Sequence, residues 1–259
     1  MSRSWLPGLV SRAREVLLAG VRPDDVVPSP NIWHWPELYE VENRAQDVDG
    51  EIWRVLAERC EWTGLDVLDL GCGDGFHLPR FAETARAVHG VEPHIPLVRR
   101  ARQRVANLSS VEVMVGAAQR IPLPDACVDV VHARTAYFFG PGCEPGLAEA
   151  DRVLRPGGVL AIVDLDGRGV PYGDWLRADL PKYDPVKIEE FFADEGFDSR
   201  DAGTTWRFEN RKSLEAVLRI EFSAPVAAKA IASVGGLSFP VGYRVRTRRK
   251  PSGLVHPDR

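Results

Sequence analysis

Cysteine is scarce in this chain: four residues, at 60, 72, 127 and 143, no two of them two to four residues apart. That spacing excludes a zinc knuckle, and a chain of 259 residues has enough apolar material to fold without disulfide staples. No metal site is expected. No surplus of cations is present either, since 33 Lys and Arg stand against 37 Asp and Glu, a formal charge of −4. This balance argues against nucleic acid as a partner spread over the whole surface. No run reaches the roughly 18 apolar residues of a membrane span. Arg12, Arg14 and Glu15 interrupt the apolar residues near the start, so a secretory h-region is missing. Internal repeats and low-complexity tracts are absent. The expectation is a soluble, cytoplasmic protein, monomer or homodimer, with no membrane partner.

What is present is an alternation of short apolar runs and amphipathic stretches. Trp5, Leu6, Leu9, Val10, Ala13, Val16 and Leu17 predict a helix over 4–19, followed by a proline-punctuated lead-in over 20–36. A second helix is expected over about 48–62. From Leu65 onwards strands at 67–70, 87–91, 111–115, 128–132 and 159–164 alternate with helices at 75–84, 96–107 and 145–154, with a turn at 156–158. That order implies an α/β fold, a doubly wound and mostly parallel sheet with helices on both faces. The chain closes with a helix at 188–195, strands at 198–208 and 238–249, and a helical segment at 213–232 between them. Two strands so joined suit an antiparallel C-terminal edge on a seven-stranded sheet. The expected organisation is an N-terminal extension over 1–47, a candidate lid, and one Rossmann-like domain over 48–259.

The stretch Asp69-Leu-Gly-Cys-Gly-Asp-Gly75 follows the first of these strands. Glycines at alternate positions behind a strand let bare backbone approach a ligand at the carboxyl end of the sheet. A dinucleotide fingerprint would need its third glycine at 76, where Phe76 stands. Asp69, just before the first glycine, would repel a pyrophosphate. A cationic, phosphate-free nucleoside meets neither objection. Glu92 closes the second strand 17 residues after Gly75 and suits a ribose diol, through charged hydrogen bonds worth roughly 1.5–3 kcal/mol each. The bland alternative is a tight strand-to-helix turn without a ligand.

Four ordered segments then resemble the class I S-adenosylmethionine-dependent methyltransferases. They are VLDLGCGDGFHLPRFA (67–82), Glu92-Pro93, VMVGAAQRIPLPDACVDVVHAR (113–134) and LAEADRVLRPGGVLAIVD (147–164). The flavour is that of the small-molecule branch resembling quinone-biosynthesis methyltransferases. The resemblance implies S-adenosylmethionine as cofactor. Gly71, Cys72, Gly73 and Gly75 would pack against its amino-acid moiety and ribose, with Asp69 near its ammonium or the adjoining turn and Glu92 on its ribose hydroxyls. Pro93 would lie by the adenine edge, Ala118 and Gln119 would grip the adenine, and Ala133 would complete the set. One departure is Ala117, where the family usually has an Asp that accepts from the adenine amino group.

Methyl transfer depends chiefly on positioning, so no motif fixes a catalytic group. Candidates lie in His132-Ala-Arg-Thr-Ala-Tyr-Phe-Phe139 and Asn31-Ile-Trp-His-Trp35. His132, at a strand end, reads as a general base or as a structural histidine. His34 reads as pocket lining or as an anchor, and Tyr137 as pocket wall or catalytic group. Tyr39 and Asn43 either close over the donor or simply pack. Arg244, Arg246 and Arg248 share one face of the last strand, as an RNA-contacting strip or as a charged edge strand. The preferred reading is a methyltransferase acting on a small organic acceptor, aromatic or apolar. Its rivals are an RNA methyltransferase, an NAD-dependent oxidoreductase and a non-catalytic donor-binding protein.

Overall fold

The computed structural model describes residues 31–252 together with Val26, Pro28 and Ser29; the helix expected over 4–19 lies outside the described residues. Seven strands form one sheet in the order β3-β2-β1-β4-β5-β7-β6. They are β1 (Asp66–Leu70), β2 (Ala87–Glu92), β3 (Val111–Val115), β4 (Val128–Arg134), β5 (Leu154–Leu165), β6 (Asp198–Arg207) and β7 (Ser238–Arg249). The first five pair in parallel, and β7 runs antiparallel to both β5 and β6. The fold is therefore α/β and doubly wound, mostly parallel, with an antiparallel C-terminal edge, as expected.

The helices are α1 (Pro36–Gln46), α2 (Glu51–Arg59), α3 (Leu78–Ala82), α4 (Ile95–Arg104) and α5 (Glu144–Val153). They continue with α6 (Tyr172–Asp179), α7 (Pro185–Asp194), α8 (Arg211–Glu221) and α9 (Ala224–Ser233). Side chains alternate across the central strands as the pleat requires. In β5, Val159, Ala161 and Val163 join the cluster built with α2, α4, α6, α8 and α9, whereas Leu160 and Ile162 join that built with α5 and α7. Two apolar layers thus sandwich the sheet, and each residue buried there gains roughly 1.5–3 kcal/mol from leaving water.

Several expectations change. Residues 156–158 are part of β5 instead of a free turn, because β5 pairs on with β4 through Leu154 and Val128 across a bulge. The helix expected over 75–84 shortens to Leu78–Ala82, because Gly75, at φ 81°, continues the turn. The segment over 213–232 divides into α8 and α9 at Phe222 and Ser223, where Asp179 accepts from the Ser223 N–H. Helices α1 and α6 had no expectation. Strand β7 is interior, and β6 forms the edge. The three β7 arginines are drawn inward by carboxylates: Arg244 and Arg246 pair with Glu189 of α7, and Arg248 with Asp151 of α5 and Glu195.

Candidate functional site

The parallel strands β1, β2, β4 and β5 all end at one rim, and an open cavity of about 250 Å³ lies against it. The turn after β1 forms one wall. Gly71, Gly73 and Gly75 have φ of 78°, 56° and 81°, a region that L side chains rarely enter. A Cβ on Gly71 would stand 2.5 Å from the Ala136 Cβ, and one on Gly73 would stand 2.8 Å from Ile32 Cδ1. The turn here approaches Ala136 and Ile32 more closely than a side chain on either glycine would allow. The N–H groups of Gly71 and Cys72 both bond the Val91 carbonyl, at 2.8 and 3.1 Å, which ties the turn to the end of β2.

Glu92 sits at that end, 5% exposed. Gly73 N–H donates to one carboxylate oxygen at 3.2 Å and His94 N–H to the other at 2.9 Å. Burial pushes its carboxyl up to about 7 against the pull of those two donors. Beyond it, Pro93, Gly116, Ala117, Ala118 and Gln119 line the same end of the cavity.

The far end is built from side chains of distant elements. Tyr39, Glu42, Asn43 and Gln46 come from α1, Arg134 from β4, Asp164 from β5 and Glu221 from the last position of α8. Asn31 and Tyr172 both donate to Glu221. Gln46 donates to Glu42 at 2.9 Å and accepts from Arg134 at 3.0 Å. Arg134 also lies 5.5 Å from the Tyr243 ring centroid. Trp33, Phe76, His77, Tyr137 and Phe139 also line the cavity.

A clasp links the ends. Arg104 of α4 donates through one nitrogen to Asp74 of the glycine turn at 2.8 Å and to Glu40 of α1 at 3.0 Å. Its Nε donates to the Asp74 carbonyl at 3.0 Å. Trp33 stacks on His94 with ring centroids 4.2 Å apart and planes 10° from parallel. Thus residues 31–46 are seated on the glycine turn through side chains of three kinds.

Of the residues singled out from sequence, Gly71, Cys72, Gly73, Glu92, Pro93, Ala118, Gln119, Tyr39 and Tyr137 line the cavity. Burial pushes the Tyr39 phenol well up, and pushes that of Tyr137 up to about 12. Five others do not line it. Gly75 packs its Cα against Ala101, and Ala133 is fully buried in the core under α5. Asp69 and His132 are turned into the protein, where their side chains bond each other at 2.8 Å, both nearly inaccessible. His132 therefore stands among Trp53, Phe81 and His77 as an interior group, not in the cavity wall. His34 is exposed, and its ring meets Trp35 edge-on at 5.7 Å.

Sequence reasoning missed Glu42, Gln46, His77, Asp164 and Glu221. A signal existed for Glu221: it continues the stripe Leu214, Val217, Leu218 on the buried face of α8, where a carboxylate is out of place unless it serves a site. Among the described residues no group of His, Cys, Asp and Glu is arranged to hold a metal ion, and no helix is long and apolar enough to cross a membrane.

Residues 68–162 match a protein-family model described as a methyltransferase domain. A probable S-adenosylmethionine-dependent methyltransferase of Mycolicibacterium smegmatis is 31% identical over 156 residues, 58% of this chain and 58% of that protein. A malonyl-[acyl-carrier protein] O-methyltransferase of Pectobacterium atrosepticum is 32% identical over 120 residues, 46% of each chain. The chain thus spans about half the length of these relatives. Among solved structures, a putative methyltransferase from Bacillus halodurans superposes with a TM-score of 0.55 at 19% identity, over 83% of this chain and 99% of that one.

Proposed function

We propose that this chain, which carries a methyltransferase domain of the class I S-adenosylmethionine-dependent superfamily, moves the donor's methyl group to a small organic acceptor. One observation carries the reading: a single cavity is lined both by the glycine turn with Glu92 and by side chains of α1, β4, β5 and α8. Two reactants in one chamber is what a group transfer needs.

The residues fit the donor. The cradle of Gly71 and Gly73 leaves room that a Cβ would fill, and Glu92 presents a buried carboxylate beside it. In this reading Glu92 accepts from the ribose hydroxyls, and Pro93, Ala118 and Gln119 flank the adenine. S-adenosylmethionine supplies an electrophilic sulfonium methyl. The chain's part is to orient both reactants and to keep water from the reacting pair, which the segment 31–46 does as a lid over the glycine turn. An apolar or aromatic acceptor body rests against Trp33, Phe76, Tyr137 and Phe139, and its polar end reaches toward Arg134 and the three carboxylates of the far wall. Relatives named for malonyl-carrier and fatty-acid O-methylation suit an acceptor of this amphipathic kind.

Calorimetric titration with S-adenosylhomocysteine and with NAD tests the donor. Saturable binding of the first and none of the second is expected; binding of NAD alone would overturn the reading. Transfer from methyl-labelled donor to a panel of phenols, fatty acids and acyl-carrier thioesters then identifies the acceptor.

A further inference from the structure

We propose that His77 is the general base that takes the acceptor's proton as the methyl group arrives, an inference that rests on the methyltransferase reading. His77 lies two residues after Gly75 and occupies the N-cap position of α3 without a side-chain capping bond. It lines the cavity, within electrostatic reach of Arg134. Trp53 and Phe76 meet its ring edge-on, at centroid distances of 5.6 and 5.2 Å, so the imidazole is held on two sides by aromatic groups. Among the described residues nothing hydrogen-bonds its ring nitrogens, and neither belongs to the buried polar atoms that lack a partner. A half-buried imidazole with both nitrogens unengaged is thereby open to the chamber.

Each carboxylate of the chamber already accepts at least one hydrogen bond. Glu221 accepts from Asn31 and Tyr172, Glu42 from Gln46, and an Asp164 oxygen from the Leu165 N–H at 2.8 Å. Both Glu92 oxygens accept backbone N–H bonds. Of the three residues that the sequence offered as catalytic, His132 is occupied by Asp69, His34 lies outside the cavity, and the Tyr137 phenol stays protonated at neutral pH.

Burial first, and the charged groups around it second, keep His77 in its neutral form. Burial, then Arg134 of β4, then His132 and Arg104 hold its imidazolium well below the usual range. It therefore waits as neutral imidazole with a lone pair to offer. In the step itself, an acceptor O–H or N–H gives its proton to a ring nitrogen of His77. The acceptor's electron pair bonds the methyl carbon while the carbon–sulfur bond breaks and leaves its pair on sulfur. The same cationic neighbours then drive the proton from the imidazolium to solvent water, which resets the base.

The test combines labelling and binding. Wild-type protein saturated with S-adenosylhomocysteine is treated with diethyl pyrocarbonate at pH 6, which modifies neutral accessible imidazoles, and the sites are mapped by mass spectrometry. His77 is expected to react and the buried His132 to remain unmodified. His77→Gln is expected to bind S-adenosylhomocysteine within about threefold of wild type, and its kcat for transfer to fall by about 10²–10⁴-fold, the usual weight of a general base. Three results overturn the proposal: His77 unreactive in the donor-bound protein, His77→Gln more than tenfold weaker for S-adenosylhomocysteine, or transfer unchanged in the variant. The second would make His77 a ligand of the donor's tail. Failure of the methyltransferase reading is distinct, since wild-type protein would then not bind S-adenosylhomocysteine at all.

Discussion

His132 Nδ1 lies 2.8 Å from Asp69 Oδ1 across neighbouring parallel strands, and neither residue is more than 2% exposed. A ring nitrogen facing a carboxylate donates to it, so the pair is a strut between β1 and β4 directly beneath the glycine turn. Replacing His132 by Phe leaves the Asp69 carboxylate buried with no partner on either oxygen. Loss of such a hydrogen bond to a charged group costs about 1.5–3 kcal/mol. Urea denaturation of His132→Phe should show a fall of that size. A fall below about 1 kcal/mol would show that the pair holds nothing.

Glu92 carries the pH dependence of the site. Its folded carboxyl titrates at about 7, above the ordinary value of 4.5, because burial penalises the charge. Between these values the folded state holds a proton that the unfolded state has released, so stability falls as pH rises through this window. The effect is on the order of 3 kcal/mol in total. The Glu92→Gln variant should show a flatter stability profile from pH 5 to 7. Donor binding runs the other way, because ribose hydroxyls donate to a carboxylate. The affinity for S-adenosylhomocysteine should therefore rise with pH up to about 7 and level off above it, and in Glu92→Gln it should be weak and flat. Calorimetry across pH 5.5–8.5 reads both curves.

The proposed donor end was legible because its residues are local in sequence. A strand, a run of alternate glycines and an acidic strand end follow one another within 27 residues, from Asp66 to Glu92. The far end was not legible, since Glu42, Arg134, Asp164 and Glu221 are brought together only by the winding of the sheet. The orientation of Asp69 and His132 escaped for a related reason. Both sit at the ligand rim in sequence, but their register at β1–β4 points them at each other. The β7 arginines likewise read as a surface strip until α7 and α5 supplied the carboxylates that bury them.

Arg104 ties α1 to the glycine turn. Its guanidinium serves Asp74, which is 2% exposed, and Glu40 at once. Methionine keeps the stem and removes the charge, leaving Asp74 buried with both carboxylate oxygens unpaired, which costs about 1–3 kcal/mol. Arg104→Met should thus lower stability modestly but loosen residues 31–46 disproportionately. Limited proteolysis should cut the variant faster within 31–46, and S-adenosylhomocysteine should protect that segment less than it does in wild type. Equal protection in both proteins would mean that the lid closes without the clasp.

Gly71 and Gly73 separate the two demands on the turn. Alanine at Gly71 meets the Ala136 Cβ at 2.5 Å, at a φ of 78°, so the turn or the loop after β4 must move. That loop is itself strained, with Thr135 at φ 45° and Tyr137 at φ 57°, and has little room to retreat. Alanine at Gly73 meets only the far end of the flexible Ile32 side chain, at a φ of 56°. Both substitutions carry the left-handed backbone cost of about 1–2 kcal/mol. Gly71→Ala adds a steric shift of the donor cradle, whereas Gly73→Ala displaces a lid side chain. Thermal unfolding and S-adenosylhomocysteine titration should then diverge. Gly71→Ala should lose more stability and more than about tenfold in affinity. In Gly73→Ala, truncating Ile32 to Val or Ala should restore part of the loss. If Ile32 truncation instead worsens Gly73→Ala, the contact that sets the cost lies elsewhere in the turn.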